Sequence, residues 1–264
     1  MKLPYFEVAA FSQRLFAGNP AGVCLLPSWL PDALLQSIAT ENNLAETAFL
    51  VPRGDVHELR WFTPTMEMDL CGHATLASAH VLFRHVGVDG EKLRFQSPQS
   101  GELGVARDGE RLVLNFPSRP PKACAPSPEL AEALGRAPVS LYEARDYMAL
   151  FESEAEIRAL RPNFSLLMAL PNNGVVVTAP GTDCDFVSRY FAPRVGIEED
   201  PVTGSTHCYL IPFWAERLGK KKLFARQLSK RGGELFCEQE GERVRIGGEA
   251  VTYLSGEIEV PNEC

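Results

Sequence analysis

The stretch EEDPVTGSTHCYLIPFWAERLG, Glu198 to Gly219, reads as an acidic turn, a small-residue hinge and an amphipathic helix. Pro201 ends whatever precedes it. Thr203, Gly204 and Ser205 then offer backbone N–H groups and hydroxyls where a new helix leaves its first donors unpaired. Such a start suits a carboxylate or a developing oxyanion. Taken alone it reads first as an ordinary N-cap, with Asp200 as the capping carboxylate. It gains weight from a twin. MDLCGHATLASAHVLFRHVG, Met68 to Gly87, breaks at Gly72 and runs on as a helix that is small or apolar nearly all round. Such a helix must be buried, and Ala74, Ala77, Ser78 and Ala79 let it pass close to strands, as a helix gripped by a curved sheet or threaded through a barrel would.

The two stretches belong to a longer register. Gly72 and Gly204 are 132 residues apart, as are Gly101 and Gly233, and Gly109 and Gly241; the latter pairs sit in matching words, GEL with GEL and GER with GER. Upstream, RWFTP (Arg60 to Pro64) mirrors RYFAP (Arg189 to Pro193) at an offset of 129, so three residues are inserted before the second helix. Half of 264 is 132, and the chain reads as an internal duplication. Pro-rich PSRPPKACAPSPEL marks a linker, giving halves 1–117 and 129–264 with 118–128 between them. The last strand, VTYLSGEIEV, either packs on its own half or crosses back to the first. If the halves face each other, both helix starts converge on one cleft, a preferred place for a ligand.

The rest of the first half reads as strands and one further helix. Tyr5 to Leu26 is strand, turn, strand, with Gly18, Asn19, Pro20 and Gly22 in the turn. PSWLPDALLQSIATENN is a helix, and ETAFLVP and VHELRWFTP are hairpin partners across Arg53, Gly54 and Asp55. The class is α+β.

Composition narrows the partners. With 45% hydrophobic and 23% charged residues and a net charge of −8, the chain is an ordinary soluble protein without the basic face that nucleic acid or an anionic membrane needs. Lys220, Lys221 and Lys222 follow a helix and complement its dipole. Seven widely spaced cysteines without a CxxC pair, and no leader-like or membrane-spanning stretch, point to reduced thiols in a cytoplasm. The five histidines lack metal-motif spacing, so no metal is expected. Nucleophile-elbow, dinucleotide and P-loop fingerprints are absent.

Titratable and hydroxyl groups crowd both breaks: Asp69, Cys71, His73 and Thr75 at the first, Glu198 to Asp200, Thr203, Ser205, His207 and Cys208 at the second. Glu46 stands apart, a carboxylate opening an apolar strand, where burial would make it a tuned proton carrier. Each has an ordinary alternative: a solvated loop charge for Glu46, a satisfied helix-start histidine for His73, buried small hydrophobes for Cys71 and Cys208. His80 and His85 are given no role.

GNPAGV, the Glu46 strand, CGHATLASA, EDPVTGSTH and QLSKRGGEL together resemble the phenazine-biosynthesis PhzF-like family over essentially the whole chain. That resemblance implies the fold of diaminopimelate epimerase: two pseudo-symmetric domains, each a curved antiparallel sheet or barrel around a central helix, with the site between them. It implies Glu46 as proton shuttle, with His73, Asp200 and Ser205 catalytic beside it, and Gly72, Gly204, Thr206 and Asn19 holding a small carboxylate-bearing substrate. It also implies a cofactor-free isomerase, the family reaction being isomerisation of a dihydro-hydroxyanthranilate, and a homodimer. The epimerase relatives use two thiols; Cys71 stands where their first would, but Thr203 precedes Gly204 in the second half. Racemisation through Cys71 is therefore the alternative reading, and a binding protein without chemistry a third.

Overall fold

The computed structural model describes residues 1–261, so Cys264 lies outside the described residues. The chain divides into two compact units: Met1–Asn115 together with the segment from Gly247 onward, and Phe116–Ile246.

The first unit begins with the antiparallel pair β1 (Lys2–Ala10) and β2 (Asn19–Leu25). Helix α1 (Asp32–Asn42) follows Pro31, and its buried face is Leu34, Leu35, Ile38 and Ala39. It returns the chain to β3 (Glu46–Arg53), parallel to β2, and β3 turns back at Gly54 into β4 (Val56–Phe62). The expected hairpin is there, with Gly54 in the left-handed region at φ 61°. After the short β5 (Glu67–Met68) comes α2 (Gly72–Val81), continued as a π-helical turn over Leu82–Val86. Then β6 (Lys92–Ser97) lies parallel to β4, and β7 (Gly101–Asp108) and β8 (Arg111–Pro117) complete an antiparallel meander.

The sheet is thus mixed, where a purely antiparallel one was expected. A parallel pair cannot be closed by a tight turn; α1 and α2 are the crossovers that make β2–β3 and β4–β6 possible. The two helices also cover opposite needs of the sheet. Leu3, Tyr5, Cys24, Phe49, Val51 and Phe62 form one apolar layer with α1. Strands β1, β2 and β3 also pack against α2. Nine of the ten α2 residues are buried, as an all-round small and apolar helix requires. Its two hydroxyl side chains bond within the helix turn: Thr75 Oγ1 donates to the Cys71 carbonyl at 2.6 Å and Ser78 Oγ to that of Ala74 at 2.7 Å.

The second unit repeats this plan. Its elements are β9 (Lys122–Cys124), α3 (Pro128–Leu134), β10 (Ser140–Glu143), β11 (Tyr147–Leu150), α4 (Glu154–Ala159), α5 (Phe164–Ala169), β12 (Val175–Pro180), β13 (Phe186–Ala192), β14 (Ile197–Asp200), α6 (His207–Leu218), β15 (Lys222–Gln227), β16 (Gly233–Glu240) and β17 (Arg243–Gly248). Parallel pairs fall at β11–β12 and β13–β15, the places corresponding to β2–β3 and β4–β6. Strands β7 and β16 both start at the glycines 132 residues apart, and Gly109 and Gly241 both turn with positive φ, 62° and 58°. The offset of 129 has a physical signature too. Arg60 grips Glu67 with two N–H···O bonds of 2.7 Å and stacks over Phe62; Arg189 grips Glu199 with bonds of 2.7 and 3.0 Å and stacks over Phe191. Seven residues separate the first pair and ten the second, so the three-residue insertion lies inside the second clasp, in the segment holding the 3-10 turn Pro193–Val195.

One boundary differs from the expectation, and of the two placements left open for the last strand the structure takes the crossing back. The Pro-rich segment 118–128 is not a bare linker: between its prolines, Lys122–Cys124 have free backbone donors and pair with β10 as β9. The final strand β18 (Ala250–Glu259) pairs antiparallel with β1, so the chain from Gly247 belongs to the first unit rather than to a half running from 129 to the end. Gly248 makes that return possible, because a Cβ there would lie 2.3 Å from the Phe11 ring. No helix among the described residues is long and apolar enough to cross a membrane.

The π-turn brings His80 and His85 onto one hydroxyl, with their Nε2 atoms 3.0 and 2.8 Å from Thr252 Oγ1 on β18. Burial and the neighbouring His85 and Arg84 push His80 down to about 4; burial and Arg84 lower His85 as well. The unfolded chain therefore takes up these protons first, so their contribution to stability is complete above pH 6.5 and is lost as pH falls toward about 4. The urea midpoint should fall between pH 7.5 and 5, and a His80→Asn/His85→Asn variant should flatten that fall.

Candidate active site

Glu46 is the first residue of β3, placed there because the parallel register sets it opposite Ala21 of β2. It is 7% exposed, and His73, the second residue of α2, is 4% exposed. Glu46 Oε2 lies 3.2 Å from His73 Nε2. The two atoms are at ion-pair distance yet not aligned as a hydrogen bond, and neither has another hydrogen-bond partner among the described residues. On the far side of the ring, Nδ1 is 3.2 Å from Asn19 Nδ2 and 3.5 Å from Cys71 Sγ. Asn19, which the sequence placed in a turn, starts β2 and is fully buried. In the neutral ring, with the Asn19 amide donating to Nδ1, the proton is on Nε2, facing Glu46.

The electrostatics follow from this packing. Burial alone would lower the His73 pKa, but the adjoining Cys71 sulfur and Glu46 carboxylate outweigh it and raise it well above 6.5. Burial and the Glu46 charge raise Cys71, leaving a neutral thiol at pH 7. Cys71 is the N-cap residue of α2, in an extended conformation, and its side chain makes no capping bond. The Ala74 N–H turns to its sulfur and the Thr75 N–H bonds its carbonyl, so the N–H groups of Gly72 and His73 are the ones left at the helix start.

In the second unit the helix start is built differently. Regular helix begins at His207, after a turn over Gly204, Ser205 and Thr206. Asp200 does not cap it: the carboxylate, at the end of β14, accepts a short hydrogen bond from the Thr203 hydroxyl. The Thr203 carbonyl accepts from Thr206 Oγ1 at 2.9 Å and from His207 Nδ1 at 2.8 Å, which commits the Thr206 hydroxyl. Burial holds His207 neutral, down at about 4. Gln227 locks the turn, its Nε2 donating to the Asp200 carbonyl at 2.8 Å and to Thr203 Oγ1 at 3.1 Å while its Oε1 accepts the Thr203 N–H at 2.9 Å. Ser205 is half-buried, and its hydroxyl makes no hydrogen bond among the described residues. Cys208 lies further along, with Arg119, Arg243 and Arg145 as its charged neighbours; burial pushes its thiol up to about 11.

The structure thus brings Glu46, His73, Cys71 and Asn19 together, and separately gathers Asp200 and Thr203. Gln227 was quoted in the sequence only as part of a closing word. Its one available signal is an amide at the end of a strand, which names no partner 24 residues upstream.

The fold defined by this repeat is the α+β epimerase-like one. The chain belongs to the phenazine biosynthesis-like protein family, PhzC-PhzF, whose model matches residues 8–256. A Pseudomonas aeruginosa protein named as an uncharacterized isomerase is 55% identical over 259 residues, covering 98% of this chain and 99% of the relative. The crystal structure of a PhzF family protein from Enterococcus faecalis superposes with a TM-score of 0.96 at 48% identity, covering 98% of this chain and 100% of that one. A hydroxyproline epimerase from Agrobacterium vitis shares the fold, with a TM-score of 0.64 at 11% identity and coverage of 97% and 92%.

Replacing Glu46 by Gln removes one of the charges that raise His73. Its NMR titration should move down from well above 6.5, and an unmoved titration would show that the pair is not coupled. Gln227→Leu leaves the Thr203 N–H and hydroxyl short of partners and should lower stability by about 2–4 kcal/mol, read by urea unfolding.

Proposed function

We propose that the chain is an isomerase that moves a proton within a small carboxylate-bearing molecule, with Glu46 as the proton carrier. The observation carrying this reading is the buried, unaligned Glu46–His73 contact of 3.2 Å. A carboxylate and an imidazole N–H that are close without satisfying each other leave one acceptor and one donor for a third group. Glu46 takes a proton from a carbon next to the substrate's acceptor group. The negative charge passes into the substrate's own π-system, where the Nε2–H of His73 opposes it, and Glu46 returns the proton to a second carbon. No electrons are gained or lost, and the substrate's conjugation does what a cofactor would otherwise supply.

The proposal keeps Asp200 and Ser205 as catalytic partners, and Gly72, Gly204, Thr206 and Asn19 as substrate-binding. Thr206 would contribute only its backbone N–H, because its hydroxyl is already bound. A homodimer in the cytoplasm, without nucleic-acid or membrane partners, belongs to the same proposal. The raised Cys71 thiol and the absence of a thiol at Thr203 favour isomerisation over two-thiol epimerisation.

The first compound to test is a dihydro-hydroxyanthranilate, in deuterium oxide. Glu46→Gln should lower turnover by about 10²–10⁴-fold and abolish solvent deuterium in the product, with the circular dichroism spectrum unchanged. Cys71→Ser should stay within a few-fold of the parent. Equal losses in the two variants would favour a Cys71-based epimerase.

A further inference from the structure

We propose that Cys71, His73 and Glu46 also form an inhibitory site for zinc. The inference rests on the acid–base reading only for its consequence, since the binding itself depends on the donor set alone. No metal motif is visible in the sequence because two of the ligands flank a helix start and the third opens a distant strand. The fold nevertheless brings one ligand atom from each residue within 4.8 Å of the others, and all three residues are buried.

Thiolate, imidazole and carboxylate are zinc's own ligand types. With a Zn–S bond of about 2.3 Å and a Zn–N bond of about 2.05 Å at a tetrahedral angle, sulfur and nitrogen sit about 3.5 Å apart. Cys71 Sγ and His73 Nδ1 are 3.5 Å apart. Glu46 faces Nε2, so its side chain must swing round the edge of the ring to reach an ion held on Nδ1, and the Asn19 amide, 3.2 Å from Nδ1, must move aside. Three protein ligands leave a fourth position for water, the open arrangement of an accessible zinc site rather than a closed structural one. On binding, the S–H bond of Cys71 is replaced by S–Zn and the coordinating imidazole nitrogen gives up any proton it carries; these protons go to solvent, and no oxidation state changes. Glu46 and His73 would then be occupied by the metal and lost to proton transfer, so zinc would compete with substrate.

The test uses the full chain freed of metal with a chelator. Zinc chloride titrated against a chromophoric chelator should show one tight site per chain. Cobalt chloride should give a thiolate-to-cobalt charge-transfer band with the visible bands of tetrahedral cobalt. Losing an outer hydrogen bond to a metal ligand already costs about 10–100-fold in affinity, so Cys71→Ser should weaken zinc by at least about 100-fold and remove the charge-transfer band. Cys184→Ser, at a half-buried thiol elsewhere, should change neither. Failure to hold zinc against the chelator, an octahedral cobalt spectrum, or a thiolate band that survives in Cys71→Ser would overturn the proposal. Those readouts need no turnover, so their failure leaves the isomerase reading standing, and loss of that reading leaves the spectra unchanged.

Discussion

A helix with no polar face decides this fold. From Gly72 to Val81 almost every side chain of α2 is small or apolar, so no side of it can rest in water. The alternatives are to bury it in a bundle or to surround it with sheet, and small residues at 74, 77, 78 and 79 favour the close approach that strands make. The sheet can enclose it only if the chain crosses over, and α2 is itself the crossover between β4 and β6. The same element therefore sets the core, the parallel pairing and the position of its own N-terminus. Cys71 and His73 are buried because they begin a helix that has nowhere else to go.

The duplication extends this constraint through the chain. The Arg60–Glu67 and Arg189–Glu199 clasps each tie the strand leading toward a central helix to the short strand just before that helix. The second clasp tolerates three extra residues because its partners are held by side chains rather than by local backbone. The two units diverge at the helix starts. The first helix begins abruptly at Gly72 with a titratable pair beside it, whereas the second begins through a turn whose hydroxyls and carbonyls are tied to Asp200, His207 and Gln227. The first start carries the Glu46–His73 pair, and the second carries a hydrogen-bonded turn in which the Ser205 hydroxyl makes no hydrogen bond among the described residues.

Much of this was legible in the residues. The offset of 132 survives as matching strands because glycines with positive φ mark the same turns in both units, and a helix with all faces apolar admits one environment. What was not legible depends on long-range pairing. Nothing in VTYLSGEIEV says that it completes the first unit, since an alternating strand pairs with any edge of suitable register. Parallel register likewise cannot be read from β2 or β3 alone, yet it brings Glu46 toward the helix start. The ordinary reading of Asp200 as a cap rests on local spacing, while the turn there is tied by Gln227 from a later strand. What recurs with a period is legible in the residues, and what depends on pairing far along the chain is not.

The position of Glu46 also bears on why the proposed reaction uses one carrier rather than two. Inverting a single carbon calls for a base on one face and an acid on the other, and the two-thiol solution supplies them from equivalent positions in the two repeats. Here the equivalent positions hold Cys71 and Thr203, and the Thr203 hydroxyl already donates to Asp200. A thiol kept neutral by burial next to a carboxylate is a poor base. The carboxylate beside it, the carrier in the proposed reaction, stands on a strand outside both helices, so it owes nothing to the symmetry of the repeat. A carrier of that kind can return its proton to a second atom on the same face, which describes moving a proton along a molecule rather than inverting a centre.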